Sequence, residues 1–221
     1  MEAILENFFN VPVFLETYPL LLRGLWVTLQ LVAVVVPAAT LLGLGIATLY
    51  AFHFRFVNPL LIVYVDLLRA FPPLVLLILI YFGLPFLGLE LISFLAVVVA
   101  LVLNGSSYYG EIFRAGIESI GRGQWEAARS TGLAMPQTLL FVILPQAIRS
   151  VLPPLATNTL ELIKATSIAS VVALPELLRT ARLAQGLVYN PTPLMVAALV
   201  YFLLLWPFVR ILSRLERKVA H

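Results

Sequence analysis

Glu161 and Lys164 stand three residues apart inside an apolar stretch, with Asn158, Thr166 and Ser167 close by. A charge at the centre of a bilayer costs about 2.5–3.5 kcal/mol, so such side chains pair or face a cavity instead of lipid. On a helix the two share a face. Two readings stay open: they neutralise each other, or they line a polar path and meet a charged or zwitterionic solute. Asp66 and Arg69 repeat the spacing in an earlier apolar run. They are read as a mutual pair, with Arg69 kept as a path candidate. Nothing in the chain suits covalent or acid–base catalysis. There is no cysteine, the two histidines are His53 and His221, and no Ser–His–Asp set or Gly-rich phosphate loop is present. Gly121-Arg122-Gly123 is too short for such a loop. No enzyme, metal or bound cofactor is expected.

The elements that must carry these residues are membrane helices. The 221 residues are 62% hydrophobic and 11% charged, against about 45–50% and 25% for soluble domains. The net charge of +3 forms no dense basic stripe, so nucleic-acid binding is not expected. The N-terminus opens on Glu2, Glu6 and Glu16, unlike a cleavable signal, which starts basic. Residues 1–22 read as an interfacial, mildly amphipathic segment. Five apolar spans follow, over about 25–52, 59–82, 91–114, from 137 onward, and 194–211. Each approaches or exceeds the roughly 20 residues that cross a bilayer.

Within them, Pro37 and Gly43-x-Gly45 predict a kink and close helix packing. Pro72-Pro73 bends the second span. Asn104-Gly105 is a hairpin signal that the long apolar flanks overrule. Asn104, Ser106, Ser107, Tyr108 and Tyr109 are expected to face other helices or a cavity. Pro145, Pro153 and Pro154 argue against a straight fourth span. Residues 176–185 predict a short amphipathic helix. The whole, 1–221, reads as one all-α membrane domain without internal repeats.

Five spans place the termini on opposite sides. With the C-terminus inside, the cytoplasm collects Arg55, Arg114, Arg122, Arg129, Arg210, Arg214, Arg217 and Lys218. Arg23, Arg179 and Arg182 stay outside. The positive-inside bias therefore predicts N-terminus out and C-terminus in.

That orientation puts the loop 119–135 in the cytoplasm. Glu126-Ala127-Ala128-Arg129 is helix-forming, Gly132 suits a helix C-terminus, and Pro136 suits the start of a new helix. The small side chains of Ala127, Ala128 and Gly132, rimmed by Glu126 and arginines, make a surface that another protein can approach closely.

The spacing of these residues resembles a known pattern. Glu126-Ala127-Ala128, three residues, Gly132, nine residues, then Val142-Ile143-Leu144-Pro145 is similar to the EAA loop of ABC importer permeases. Val142 stands where isoleucine is usual. Glu111-Ile-Phe-Arg-Ala-Gly-Ile, Gly123-Gln-Trp-Glu-Ala-Ala-Arg, Ile143-Leu-Pro-Gln-Ala-Ile-Arg, Pro153-Pro154-Leu, Pro175-Glu-Leu-Leu and Tyr81-Phe-Gly-Leu-Pro85 resemble the polar amino acid branch. The likeness runs from about residue 20 to the end. Two departures are Arg69-Ala70-Phe71-Pro72 for Arg-Gly-Thr-Pro, and Lys164-Ala165-Thr166-Ser167 for Lys-Asp-Thr-Ser. The second leaves Glu161 as the acidic neighbour of Lys164.

The resemblance implies a type I ABC importer permease fold and a bacterial inner-membrane protein that carries a polar amino acid by alternating access. It implies a second permease copy or paralogue, an extracytoplasmic solute-binding protein, and cytoplasmic ATP-binding subunits. Those subunits hold the ATP and dock on Glu126, Ala127, Ala128 and Gly132. The competing class is an ion-coupled carrier or channel for small polar solutes. Such carriers often show matched inverted halves, and none is visible here.

Overall fold

The computed structural model describes residues 6–219, without the side chains of Arg149 and 211–219. Expectations that fall on Glu2, Arg214, Arg217 and Lys218 lie outside the described groups. The elements are α1 (Val11–Ala51), α2 (Val57–Ala70), α3 (Pro73–Ile78), α4 (Ser93–Glu118), α5 (Arg122–Ser130), α6 (Met135–Thr138), α7 (Leu144–Ala165), α8 (Leu177–Val188) and α9 (Thr192–Val219). Among the described residues there is no strand. Among those residues three helices are long and apolar enough to cross a membrane, and up to five if each of two bent pairs counts as one span. The protein is a multi-pass, all-α membrane protein.

α1 has 41 residues, so it is about 60 Å long at 1.5 Å per residue. The hydrocarbon core is about 30 Å thick. Residues 11–22 are the first turns of this helix rather than a separate surface element, and the helix continues through Pro19 and Pro37. Leu31, Val35 and Ala39 are buried while Trp26, Val34 and Leu41 are exposed. Apolar side chains on all sides are the mark of a membrane helix.

Prolines shape the irregular turns. A proline has no N–H for the carbonyl four residues back, and its ring collides with that carbonyl. A π turn over Leu79–Gly83 precedes Pro85, and another over Leu139–Ile143 precedes Pro145. Both widen the helix where the carbonyls of Tyr81 and Phe141 must clear the ring. α7 then passes through Pro153 and Pro154 without ending, so these two prolines do not break the fourth span. Asn104-Gly105 is in mid-helix in α4, as the apolar flanks required.

The chain packs as two units. One comprises the chain up to Val35, Pro73–Leu101 and Leu162–Val209; the other comprises Val36–Pro72, Val102–Glu161 and the chain from Arg210. In the first, Leu21, Leu177, Ala181 and Ala197 form a core, with Leu25, Leu194 and Tyr201 packed on it. There α1 and α8 touch at Gly24, where an added methyl would overlap the Thr180 side chain.

In the second unit, α1 and α4 meet at Gly43. A Cβ there would lie 2.6 Å from Tyr109 Cβ and 2.8 Å from Gly110 N. Gly45, two residues on, faces open space. α2 ends with Phe71 in extended backbone, ψ 129°, as the residue before a proline prefers. Pro72 and Pro73 strand the carbonyls of Leu68 and Arg69. α4 supplies the missing donors: Asn104 Nδ2 reaches Leu68 O at 2.9 Å and the Tyr108 hydroxyl reaches Arg69 O at 3.4 Å. Asn104, Ser106, Ser107 and Tyr109 are buried, so the polar cluster does face its neighbours.

Gly43→Val should lower stability by about 2 kcal/mol, because backbone rather than a flexible side chain occupies the space. Gly45→Val should stay within about 0.5 kcal/mol. Thermal unfolding of the detergent-solubilised protein checks both; equal midpoints for the two variants would contradict the packing described.

Candidate functional site

Three residues separate the end of α4 from the start of α5. Gly121, at ψ 144°, turns the chain into it, and Thr131 follows as its C-terminal cap. Gly132 then takes φ +86°, the left-handed region that costs glycine nothing. Its N–H closes on Arg129 O at 3.1 Å. The Thr131 hydroxyl donates to Ala128 O and the Ser130 hydroxyl to Glu126 O. Gln137 accepts from Ala134 N–H at 2.8 Å and starts α6. Gln146 on α7 donates to Gln124 Oε1 at 3.3 Å. The loop is therefore shaped by its own hydrogen bonds.

Of the four residues expected to form a docking surface, three are exposed: Glu126, Ala127 and Gly132. Ala128 is buried and packs inward. Its small size serves the contact of α5 with the rest of its own chain. A Cβ on Gly132 would meet nothing within 4 Å. This face is thus open to an approaching surface.

A charged cluster stands behind the loop. Arg114 donates to Glu111 through Nε (2.9 Å) and Nη2 (2.7 Å), and through Nη1 to Glu118 (2.7 Å). Arg69 pairs with Glu111 at 3.9 Å. The expected Asp66–Arg69 pair is not formed. The aspartate side chain is short, whereas the arginine is long enough to reach α4, where it also stacks over Tyr108 at 5.4 Å.

Glu161 and Lys164 are both exposed on α7, and neither is free of partners. Asn158, one turn earlier, is half-buried. Lys164 and Ser167 line a cavity of about 440 Å³ with Leu178, Leu194 and Tyr201. Thr166 is buried and donates to Ile163 O at 2.7 Å; Ser167 donates to Lys164 O at 2.8 Å. These hydroxyls bond the last carbonyls of α7 where it tightens into a 3₁₀ helix, Thr166–Val172.

The sequence reading assigned no role to Glu176, which is wholly buried. It caps α8, accepting from Leu178 N (2.8 Å) and Arg179 N (2.7 Å), and the Tyr201 hydroxyl donates to it at 3.1 Å. Leu177 N donates to Thr28 on α1 at 3.1 Å. The available signal was the Pro175-Glu176 step between an apolar run and an amphipathic helix. Glutamate is an unusual cap, so pattern alone did not expose it.

The family described as binding-protein-dependent transport system inner membrane component matches residues 39–221. The chain belongs to this family. The probable amino-acid ABC transporter permease protein YckA of Bacillus subtilis (strain 168) is 36% identical over 217 residues, 98% of this chain and 96% of the relative. The probable glutamine ABC transporter permease protein GlnP of the same organism is 36% identical over 198 residues, 87% and 90% of the two chains. A solved structure titled as an amino acid ABC transporter with histidines superposes with TM-score 0.83 at 36% identity, covering 93% of this chain and 96% of that one. The protein is a permease subunit of an ABC importer.

In this permease, burial pushes the Glu176 carboxyl above the usual carboxylate range. The Leu178 and Arg179 N–H groups, the Tyr201 hydroxyl and the Arg182 charge oppose that rise. A carboxyl that holds its proton more tightly when folded stabilises the fold at low pH. That stability is lost as pH rises from the ordinary carboxylate range through the folded value. Glu176→Gln should remove this fall. Midpoints of thermal unfolding followed from about pH 4 to 8 should drop more steeply in the wild type than in the variant; parallel curves would contradict it.

Proposed function

We propose that this permease carries a polar amino acid across the bacterial cytoplasmic membrane, with its N-terminus outside and C-terminus inside. Cytoplasmic ATPase subunits drive it through α5 and Gly132. A second permease chain completes the pathway, and an extracytoplasmic binding protein delivers the solute. The observation that carries this reading is the exposed face of Glu126, Ala127 and Gly132, with Gly132 at φ +86°. A partner can reach the backbone there, and the face keeps the EAA spacing to Leu144-Pro145. The substrate class is supported by the relative named for glutamine and by the solved amino acid ABC transporter with histidines. In this reading the ATPase subunits bind and hydrolyse the ATP.

Gly132→Trp adds bulk to the docking face and strains the left-handed turn. Uptake into proteoliposomes should fall about tenfold while the permease still inserts. Gly132→Asn, which tolerates this backbone region, should keep most of it. Undiminished uptake by the tryptophan variant would refute the coupling role.

Glu161, on the exposed face of α7, acts in this reading on the charge of the solute. Glu161→Gln should lower the ratio of arginine to glutamine uptake about tenfold. Equal retention of arginine, glutamine and glutamate uptake would remove Glu161 as a selectivity residue.

A further inference from the structure

Arg114 bonds in more directions than a helix staple needs. Its guanidinium grips Glu111 and Glu118 on α4 and lies over the Tyr50 ring at the end of α1, 5.4 Å from the centroid. Through Glu111 it is joined to Arg69 in the last turn of α2. Two arginines and two glutamates balance in charge across α2 and α4. Their side chains are 30–51% exposed, and partly desolvated, charge-assisted forks are among the stronger hydrogen bonds. The group borders a cavity of about 240 Å³ lined by Tyr50, Asp66, Glu111 and Arg114. It is held by charge and geometry rather than by tight packing.

The link from this cluster to α5 is short and stiff. α4 ends at Glu118 and α5 starts at Arg122. Between them Ser119 N donates to Ala115 O at 2.9 Å and Ile120 N to Ile117 O at 3.3 Å. The Ser119 hydroxyl bonds Gly116 O at 2.7 Å. A push on α5 has little slack to take up before it reaches α4 and Arg114.

We propose that Arg114 is a positioning residue of the transport cycle: it joins the ends of α1, α2 and α4 into one body behind α5, so that displacing α5 carries the end of α2 with it. This rests on the coupling role given to α5 above. A residue that only stabilised α4 would change the amount of assembled protein. A residue that transmits the stroke changes how much ATP is hydrolysed per solute moved.

The test uses the full transporter, permease with its ATPase subunits and binding protein, in proteoliposomes. Radiolabelled L-histidine, L-glutamine and L-arginine are offered, and the best-carried one is the probe. R114M should assemble with the ATPase subunits and hydrolyse ATP, yet use about tenfold more ATP per solute imported. R114K, which keeps the charge without the planar fork, should fall between R114M and the wild type. E111Q should resemble R114M, and the double variant should add little to either, as members of one unit do. If R114M does not assemble, E111Q and R114K carry the measurement. A wild-type ratio in the assembled variants, whatever their yield, overturns the proposal. If Gly132→Trp uncouples while R114M and E111Q do not, this inference alone fails. If Gly132→Trp also leaves the ratio unchanged, the coupling role of α5 fails with it.

Discussion

Inside the hydrocarbon core no water is available to a stranded carbonyl, so each backbone group must find its partner within the protein. This chain carries 15 prolines, each of which withholds an N–H. The fold answers locally. Pro72 and Pro73 end α2, and the carbonyls they abandon are met by Asn104 and Tyr108 on α4. Those two residues are four apart, one helical turn, and so reach consecutive carbonyls from one face. Pro85 and Pro145 follow π turns instead. Where α7 tightens at its end, Thr166 and Ser167 bond the last carbonyls. Much of the polar content of the apolar stretches is thus committed to the backbone.

The charges obey the same economy. Glu176 is buried without a cation in direct contact, held by two backbone N–H groups and the Tyr201 hydroxyl. It fastens the start of α8 beside α1, where Leu177 N bonds Thr28 and Gly24 leaves room for Thr180. Arg114, Glu111, Glu118 and Arg69 balance one another at the other charged locus.

The backbone rules relax around α5. The loop around α5 has glycine at both ends, Gly121 to enter the helix and Gly132 to leave it, and only Gly132 requires a left-handed conformation. Its exposed residues include Ala127 and Gly132, which add little bulk beside Glu126 and Arg129. Ala127 and Ala128 look equivalent in sequence, but one helical step of about 100° turns the first outward and the second into the protein. Of the two small residues, one lies on the exposed face of α5 and the other seats the helix against its own chain.

Composition and run length alone determined the all-α membrane class, the apolar helices, the amphipathic α8 and the position of the α5 loop. Those signals are local: hydropathy over a span, and glycine and proline at helix ends. The residue types around Asn104 also marked a face that had to be buried. Tertiary structure decided the partners. Asp66 and Arg69 are neighbours on one helix, yet Arg69 reaches Glu111, because side-chain length and the approach of α4 outweigh spacing along the chain. Glu176 reads as one more charge at the start of an amphipathic helix until the Tyr201 hydroxyl, from a helix distant in sequence, donates to it, while Thr28 accepts from the neighbouring Leu177 N–H. Hydropathy reports which segments leave water; it carries no information on which side chains then meet, since that depends on helix packing set by contacts far apart in the chain.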